Sequence, residues 1–248
     1  MYSRVFDIIF LLIISFFSVA ECHEALTKHQ QWDNVAKEVD SWVDGLGYPI
    51  DQGIKETVIV LNLLGFPTRQ SCEGHLNHGE ASPWIDFAIT QPEFVTLQNQ
   101  VSDFYQVELK ESFQTLRIKY PLLSRNEIFQ TQEGESLKPA YEKFLYLHSL
   151  FQNEAKKILL PLFELLDKFY QTHECTEDQK LDILIEGIIR LRSRGWEMQN
   201  QRSGDERNIH LKLYVAEMNA FTKFLKDYFF QQTASNSLME YAEHPISQ

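Results

Sequence analysis

The chain has 248 residues, 44% of them hydrophobic with 18 Phe and 10 Tyr, which supplies a sizeable core and excludes a low-complexity or disordered protein. Its formal net charge is −12, from 35 acidic against 23 basic residues, so a general polyanion-binding surface is not the default and no nucleic-acid partner is expected. Cys22, Cys72 and Cys175 are too few and too scattered for a disulfide framework, although Cys72 and Cys175 could pair in an oxidising compartment.

Residues 1–20 form their own unit. Arg4 precedes a run from Ile8 to Ala20 whose only polar members are Ser15 and Ser18. That run reaches about 20 Å as a helix, short of a ~30 Å hydrocarbon core, which favours a signal peptide over a membrane span. Ser18 and Ala20 place small residues where cleavage after Ala20 requires them, so a periplasmic or secreted protein is expected. The alternative is a membrane anchor made by an uncleaved N-terminal segment.

From Leu26 to Val43, Trp32, Val35, Val39, Trp42 and Val43 recur at helical spacing, and Gly45 and Gly47 end the stripe. Asp51 can cap a second helix through Ile54, Val58, Leu61 and Leu64, which Gly65 and Pro67 terminate. Trp84 to Ile89 alternates as a strand, with Ile85, Phe87 and Ile89 on one face and Trp84, Asp86 and Ala88 on the other. Pro92 to Leu109 returns to helical spacing, which fails at Glu108. Two further strands are expected at Phe113–Tyr120, with Leu116, Ile118 and Tyr120 inward, and at Asn126–Thr131.

The polar run Gln132–Ser136 reads as a boundary between halves. Beyond it the pattern is helical: Pro139 to Gln171 divided at Pro161, then about Asp178 to Ser193, then Arg207 to Phe230. The expected fold is α+β, with a small sheet and flanking helices in the N-terminal half and a helical bundle in the C-terminal half. In domain terms this gives 24–132, a helical region over 136–230, and a flexible polar tail over 231–248.

One stretch gathers the chemistry. Phe66 to Gly79 brings a thiol, a carboxylate, two imidazoles and two glycines onto apparent loop backbone. In a metal reading, Cys72, His75 and His78 are ligands at steps of three, with Asp86 or Glu73 as a fourth, and thiolate plus imidazole selects zinc. In a nucleophile reading, His75 or His78 lowers the Cys72 pKa while Asp86 or Glu73 orients the imidazole. In the plain reading Cys72 fills a core gap and the glycines only make turns. Arg69, Ser71, Glu73 and Gly74 are candidate binding residues beside the thiol, Arg69 as an anion-binding charge. Asp86 is otherwise an aspartate on the exposed face of its strand.

A second cluster, Arg190, Arg192, Arg194 and Arg202 around Trp196, could bind phosphate or an acidic partner. The favoured account is a helix C-terminus supporting its dipole.

The run from Leu61 to His75, followed by Pro83-Trp84-Ile85, resembles a group of uncharacterised bacterial and phage proteins with a Thr-x-x-Ser-Cys-Glu-Gly-His signature. The resemblance covers about Gly53 to Ile89. It implies a helix ending at Gly65, an extended segment delivering the signature, and a Pro-aromatic strand. A fainter similarity is to the wybutosine-synthesising tRNA methyltransferases, which carry a Ser-Cys-Ser-Gly-Arg run after a comparable helix. This chain departs from them at Glu73 and His75, so no methyltransferase activity is carried over. The functional expectation is an exported protein whose Cys/His loop forms a small-ligand or metal site for a small ligand or protein partner. The alternative is a non-catalytic interaction protein in which the loop is a structural turn.

Overall fold

A computed structural model describes residues 26–44 and 47–232; the Ile8–Ala20 run, Cys22, Gly45 and the tail from residue 233 lie outside them. Helix α1 (Lys28–Asp40) starts at a capping box between Thr27 and Gln30 and turns Val39 into the core. Helix α2 (Gln52–Leu63) buries Ile54, Val58 and Leu61 on the expected stripe. It buries Ile59 and Val60 as well, so its C-terminal half is covered on several sides while Gln52 and Glu56 stay exposed near its start. After Pro67 the chain extends into β1 (Thr68–Cys72), which pairs antiparallel with β2 (Trp84–Phe87), Cys72 opposite Trp84 and Ser71 opposite Ile85.

Helix α3 (Pro92–Phe104) runs through a π-helical turn (Tyr105–Leu109) into α4 (Lys110–Lys119). The wider turn comes where Glu108 interrupts the apolar spacing, and it rotates the stripe so that Leu109 and Leu116 are buried. Phe113–Lys119 is therefore helix rather than the expected strand, and Ile118 is exposed. The strand expected at Asn126–Thr131 is also replaced: Ser124 and Glu127 form a capping box that starts the short helix α5 (Arg125–Ile128). Apolar runs this short fit either period, and the caps decide between them.

The polar run Gln132–Ser136, expected as a turn, is the opening of α6 (Gln132–Ile158), where the Thr131 hydroxyl accepts from the Gly134 N–H. Pro139 lies inside that helix rather than at its start. Helix α7 (Leu160–Tyr170) follows with Pro161 in its first turn, so the apolar run divides where expected.

The largest departure is Asp178–Ser193, expected as helix and found as a hairpin of β3 (Leu181–Ile185) and β4 (Ile189–Ser193). Leu181, Ile183 and Ile185, then Ile189 and Leu191, alternate with Asp182, Arg190 and Arg192, a period of two. The 136–230 region thus supplies half the sheet instead of being all helical, because long apolar-stemmed arginines on a strand mimic a charged helix end. Strand order is β1-β2-β4-β3, and β2 pairs with β4 across 104 residues of chain between Asp86 and Arg190. A 3-10 segment (Arg194–Gln201) and helix α8 (Gly204–Gln231) complete the described elements. The result is an α+β fold with eight helices flanking a four-stranded antiparallel sheet, among the described residues.

The two faces of the sheet differ in chemistry because successive residues alternate. Ile85, Ile183, Ile185 and Leu191 join the core with Val58 and Leu61 of α2, Leu162 and Phe169 of α7, and Phe221 and Leu225 of α8. This core draws on residues from both sides of 132–136. The opposite face carries Cys72, Trp84, Asp86, Arg190 and Arg192 and supports the site. The outer edge of β3 is closed by side chains: the Leu181 N–H donates to the Tyr170 hydroxyl and the Ile183 N–H to the Asp182 carboxylate, while Gln152 donates to the Ile185 carbonyl. That occupies three of the hydrogen-bonding groups this edge strand would offer another chain.

Candidate metal centre

The site begins at the N-terminus of α2, where two carboxylates exchange duties. Asp51 occupies the N-cap position but makes no side-chain bond to its own helix. Instead its Oδ2 accepts from the Glu73 N–H at 3.1 Å, while Glu73 Oε2 accepts from the Gly53 N–H at 2.7 Å and caps α2 in Asp51's place. Gly53 permits the approach, since a Cβ there would stand 2.6 Å from Glu73 Oε2. The exchange ties α2 to the end of β1 and turns the Asp51 carboxylate towards the signature loop.

Cys72 is the last residue of β1, and Gly74 reverses the chain just after it with φ +90°. A side chain at Gly74 would be strained by that angle and would meet Leu211 Cδ1 at 2.8 Å and the Ser82 carbonyl carbon at 2.9 Å. The reversal brings His75 back over the helix end, where its Nε2 lies 3.3 Å from Asp51 Oδ2. The His75 N–H donates to the Glu80 carbonyl at 3.0 Å and closes the loop, and Gln199 Nε2 donates to the Ala81 carbonyl at 2.6 Å and pins its far end to the 3-10 segment.

Asp51, Cys72 and His75 thereby converge. Each offers one ligand atom, and these oxygen, sulfur and nitrogen atoms all lie within 4.8 Å of one another, on half-buried residues. Burial pushes the Cys72 thiol above its ordinary value; the Gly74 N–H, 3.4 Å from Sγ, works in the opposite direction, and the nearby Asp51 and Glu73 carboxylates add to the rise. The thiol is therefore protonated at neutral pH in the metal-free chain. An imidazole-activated nucleophile needs the reverse, so the electrostatics do not favour that reading.

The remaining expected residues are distributed differently. His78 is exposed and stacks on the His75 ring with centroids 4.2 Å apart, but it is not among the converging ligand atoms. Glu73 acts as the cap described above. Ser71 faces away from Cys72, opposite Ile85, and Arg69 is exposed. Asp86 does not orient a histidine: it is 1% exposed, and Arg190 holds both its oxygens, Nε to Oδ1 at 2.6 Å and Nη2 to Oδ2 at 3.1 Å. Arg190 also bonds Glu80 Oε1 at 2.5 Å and lies 3.8 Å over the Trp84 ring, so this network supports the loop from beneath, with Glu80 Oε2 buried and without a partner. Cys72 and Cys175 are both free thiols.

Asp51 is the functional candidate that sequence reasoning misses, because it reads only as a helix cap. Its one available signal is that a cap residue precedes a glycine, Gly53, which makes room for another chain segment. No helix among the described residues is long and apolar enough to cross a membrane. Compared with known proteins, the chain matches no family model, no curated protein and no solved structure.

Proposed function

We propose that Asp51, Cys72 and His75 bind a single zinc-type divalent cation, and that this site is the functional centre of an exported protein. The observation that carries the reading is the mutual approach of three chemically different ligand atoms. Tetrahedral bonds of about 2.0–2.2 Å place nitrogen and oxygen ligands about 3.3–3.5 Å apart, and the His75–Asp51 separation is 3.3 Å. Thiolate with imidazole suits zinc better than magnesium or calcium. Three protein ligands leave a position for water or a small ligand, as in catalytic rather than structural zinc sites. Around that position the chain's own residues have supporting roles: Glu73 fixes the orientation of Asp51 through its N–H, and His78 covers the His75 ring. The Ile8–Ala20 run supports the exported setting.

The competing reading is a structural turn, favoured by the fact that Asp51 already accepts from Glu73 and pairs with His75 without any ion. Cobalt titration of the purified chain separates the two. The expected result is one ion per chain with a thiolate-to-cobalt absorption band that survives Cys175→Ser and disappears in Cys72→Ala and His75→Ala. Absence of stoichiometric binding, or a band that persists in Cys72→Ala, overturns the metal site and leaves the structural turn.

A further inference from the structure

Strand β4 presents Arg190 and Arg192 on one face, and only the first is matched by acids. Arg192 is 7% exposed, yet it makes no ion pair and no side-chain hydrogen bond with any described residue; its guanidinium carbon lies 3.6 Å over the Trp196 ring. A guanidinium carries five N–H donors and no acceptor, and stacking on an indole uses none of them; no Arg192 nitrogen is among the side-chain atoms sealed from solvent without a partner, so these donors face accessible space. Burial moves the Arg192 pKa down and the Arg190 charge adds to the fall, while the Glu80, Glu186 and Glu197 carboxylates act against it.

The same side chain lines a cavity of about 400 Å³ between the C-terminal end of α6 and the β3–β4 hairpin. Gln152, Lys156, Trp196, Glu186 and Glu197 complete the relevant walls. Arg194, also on the rim, is already engaged by Glu177 and by Asp182 at 3.3 Å. Glu80, Glu186 and Glu197 act on Arg192 through space only, without forming an ion pair. What remains is one guanidinium with no protein hydrogen bond and an exposed lysine, both bordering a space roomy enough for a small ligand.

We propose that this cavity binds a small oxyanion, a carboxylate or phosphate group, which Arg192 grips through its paired N–H donors while Lys156 contributes charge at the entrance. Arg–oxyanion pairing of this kind is planar and bidentate, which a lysine in place of Arg192 cannot reproduce. The site shares no residue with Asp51, Cys72 and His75 and stands or falls independently of them.

Calorimetric titration of the full chain with inorganic phosphate and, separately, with succinate at fixed ionic strength tests the proposal and distinguishes the two anion classes. Saturable 1:1 binding of at least one is expected, weakened about tenfold or more by Arg192→Gln, which removes a charged hydrogen-bonded contact. Arg192→Lys should recover only part of that loss. Because a buried substitution can perturb folding, two surface variants are measured alongside: Lys156→Gln should weaken binding about threefold and Glu197→Gln should tighten it, by removal of one attractive and one repulsive charge. No saturable binding of either anion to the wild type overturns the proposal. So does unchanged affinity in both Lys156→Gln and Glu197→Gln, or wild-type affinity in a folded Arg192→Gln.

Discussion

Asp51 and Asp86 sit close to the same polar sheet face and meet opposite circumstances. Asp86 is buried, and each of its oxygens is held by one guanidinium nitrogen of Arg190. Asp51 keeps a third of its side-chain surface, and a single oxygen is shared between a backbone N–H and an imidazole with a thiol alongside. The difference teaches where to look for function: a carboxylate whose hydrogen-bonding capacity is consumed by one partner holds the fold together, whereas one that shares space with soft and borderline ligands is arranged for a third party. Arg190 and Arg192 repeat the contrast on one strand, the first bonded to two carboxylates and the second to none.

The comparison breaks most visibly at Asp86. Asp86→Ala leaves a buried guanidinium without its main partner and should cost about 3–5 kcal/mol in urea unfolding, with failure to fold as the extreme outcome. A loss below ~1 kcal/mol would mean the pair is not the structural anchor described. The next largest effect concerns the turn that aims the site. Gly74→Ala must adopt a positive φ and push into Leu211 and the Ser82–Pro83 backbone, so a loss of about 2–3 kcal/mol is expected, together with weakened cobalt binding. Unaltered stability and binding in that variant would show that the reversal is not what positions His75.

The pH behaviour sharpens the contrast further. In a Cys22→Ser, Cys175→Ser background without metal, alkylation of Cys72 should rise with a midpoint above the ordinary value of ~8.5, since burial and the neighbouring carboxylates favour the protonated thiol. The folded thiol then holds its proton more tightly than the unfolded one, so metal-free stability should fall as pH rises above the ordinary thiol pKa. With cobalt or zinc bound, Cys72 should be protected, and each ion taken up should release the thiol proton, making apparent affinity rise by about tenfold per pH unit. A midpoint below the ordinary value in the metal-free protein would restore the activated-nucleophile reading.

The smallest expected effect is at Glu73. Glu73→Gln keeps the backbone N–H that orients Asp51 but weakens the cap on α2, so about 0.5–1 kcal/mol of stability should be lost, with cobalt affinity changed by less than about threefold. A collapse of metal binding in this variant would make Glu73 a ligand, in place of Asp51 or beside it.

How legible the molecule was depends on the range of the forces involved. The α+β class, α1, α2, β2, α3, the division at Pro161 and α8 follow from local periodicity and from proline, and they are found where the spacing puts them. The stretches that misled were those in which two periods fit equally: Phe113–Tyr120 and Asn126–Thr131, settled by a π turn and a capping box, and Asp178–Ser193, whose arginines read as a helix end until β2 supplies a strand to pair with.

The sequence by itself determined the site's loop: a thiol at the end of an extended segment, a glycine that permits reversal, and a histidine one turn later, all written within a few residues because backbone sterics act locally. Only the tertiary structure decided which groups meet there. Asp51 joins Cys72 and His75 through an exchange of hydrogen bonds with Glu73 across the end of α2, and Asp86 leaves the site because Arg190 claims it from the neighbouring strand β4. Partners such as these are separated by tens of residues in the chain, and their pairing is selected by burial, where an unmatched charge is expensive, rather than by any spacing a sequence can display.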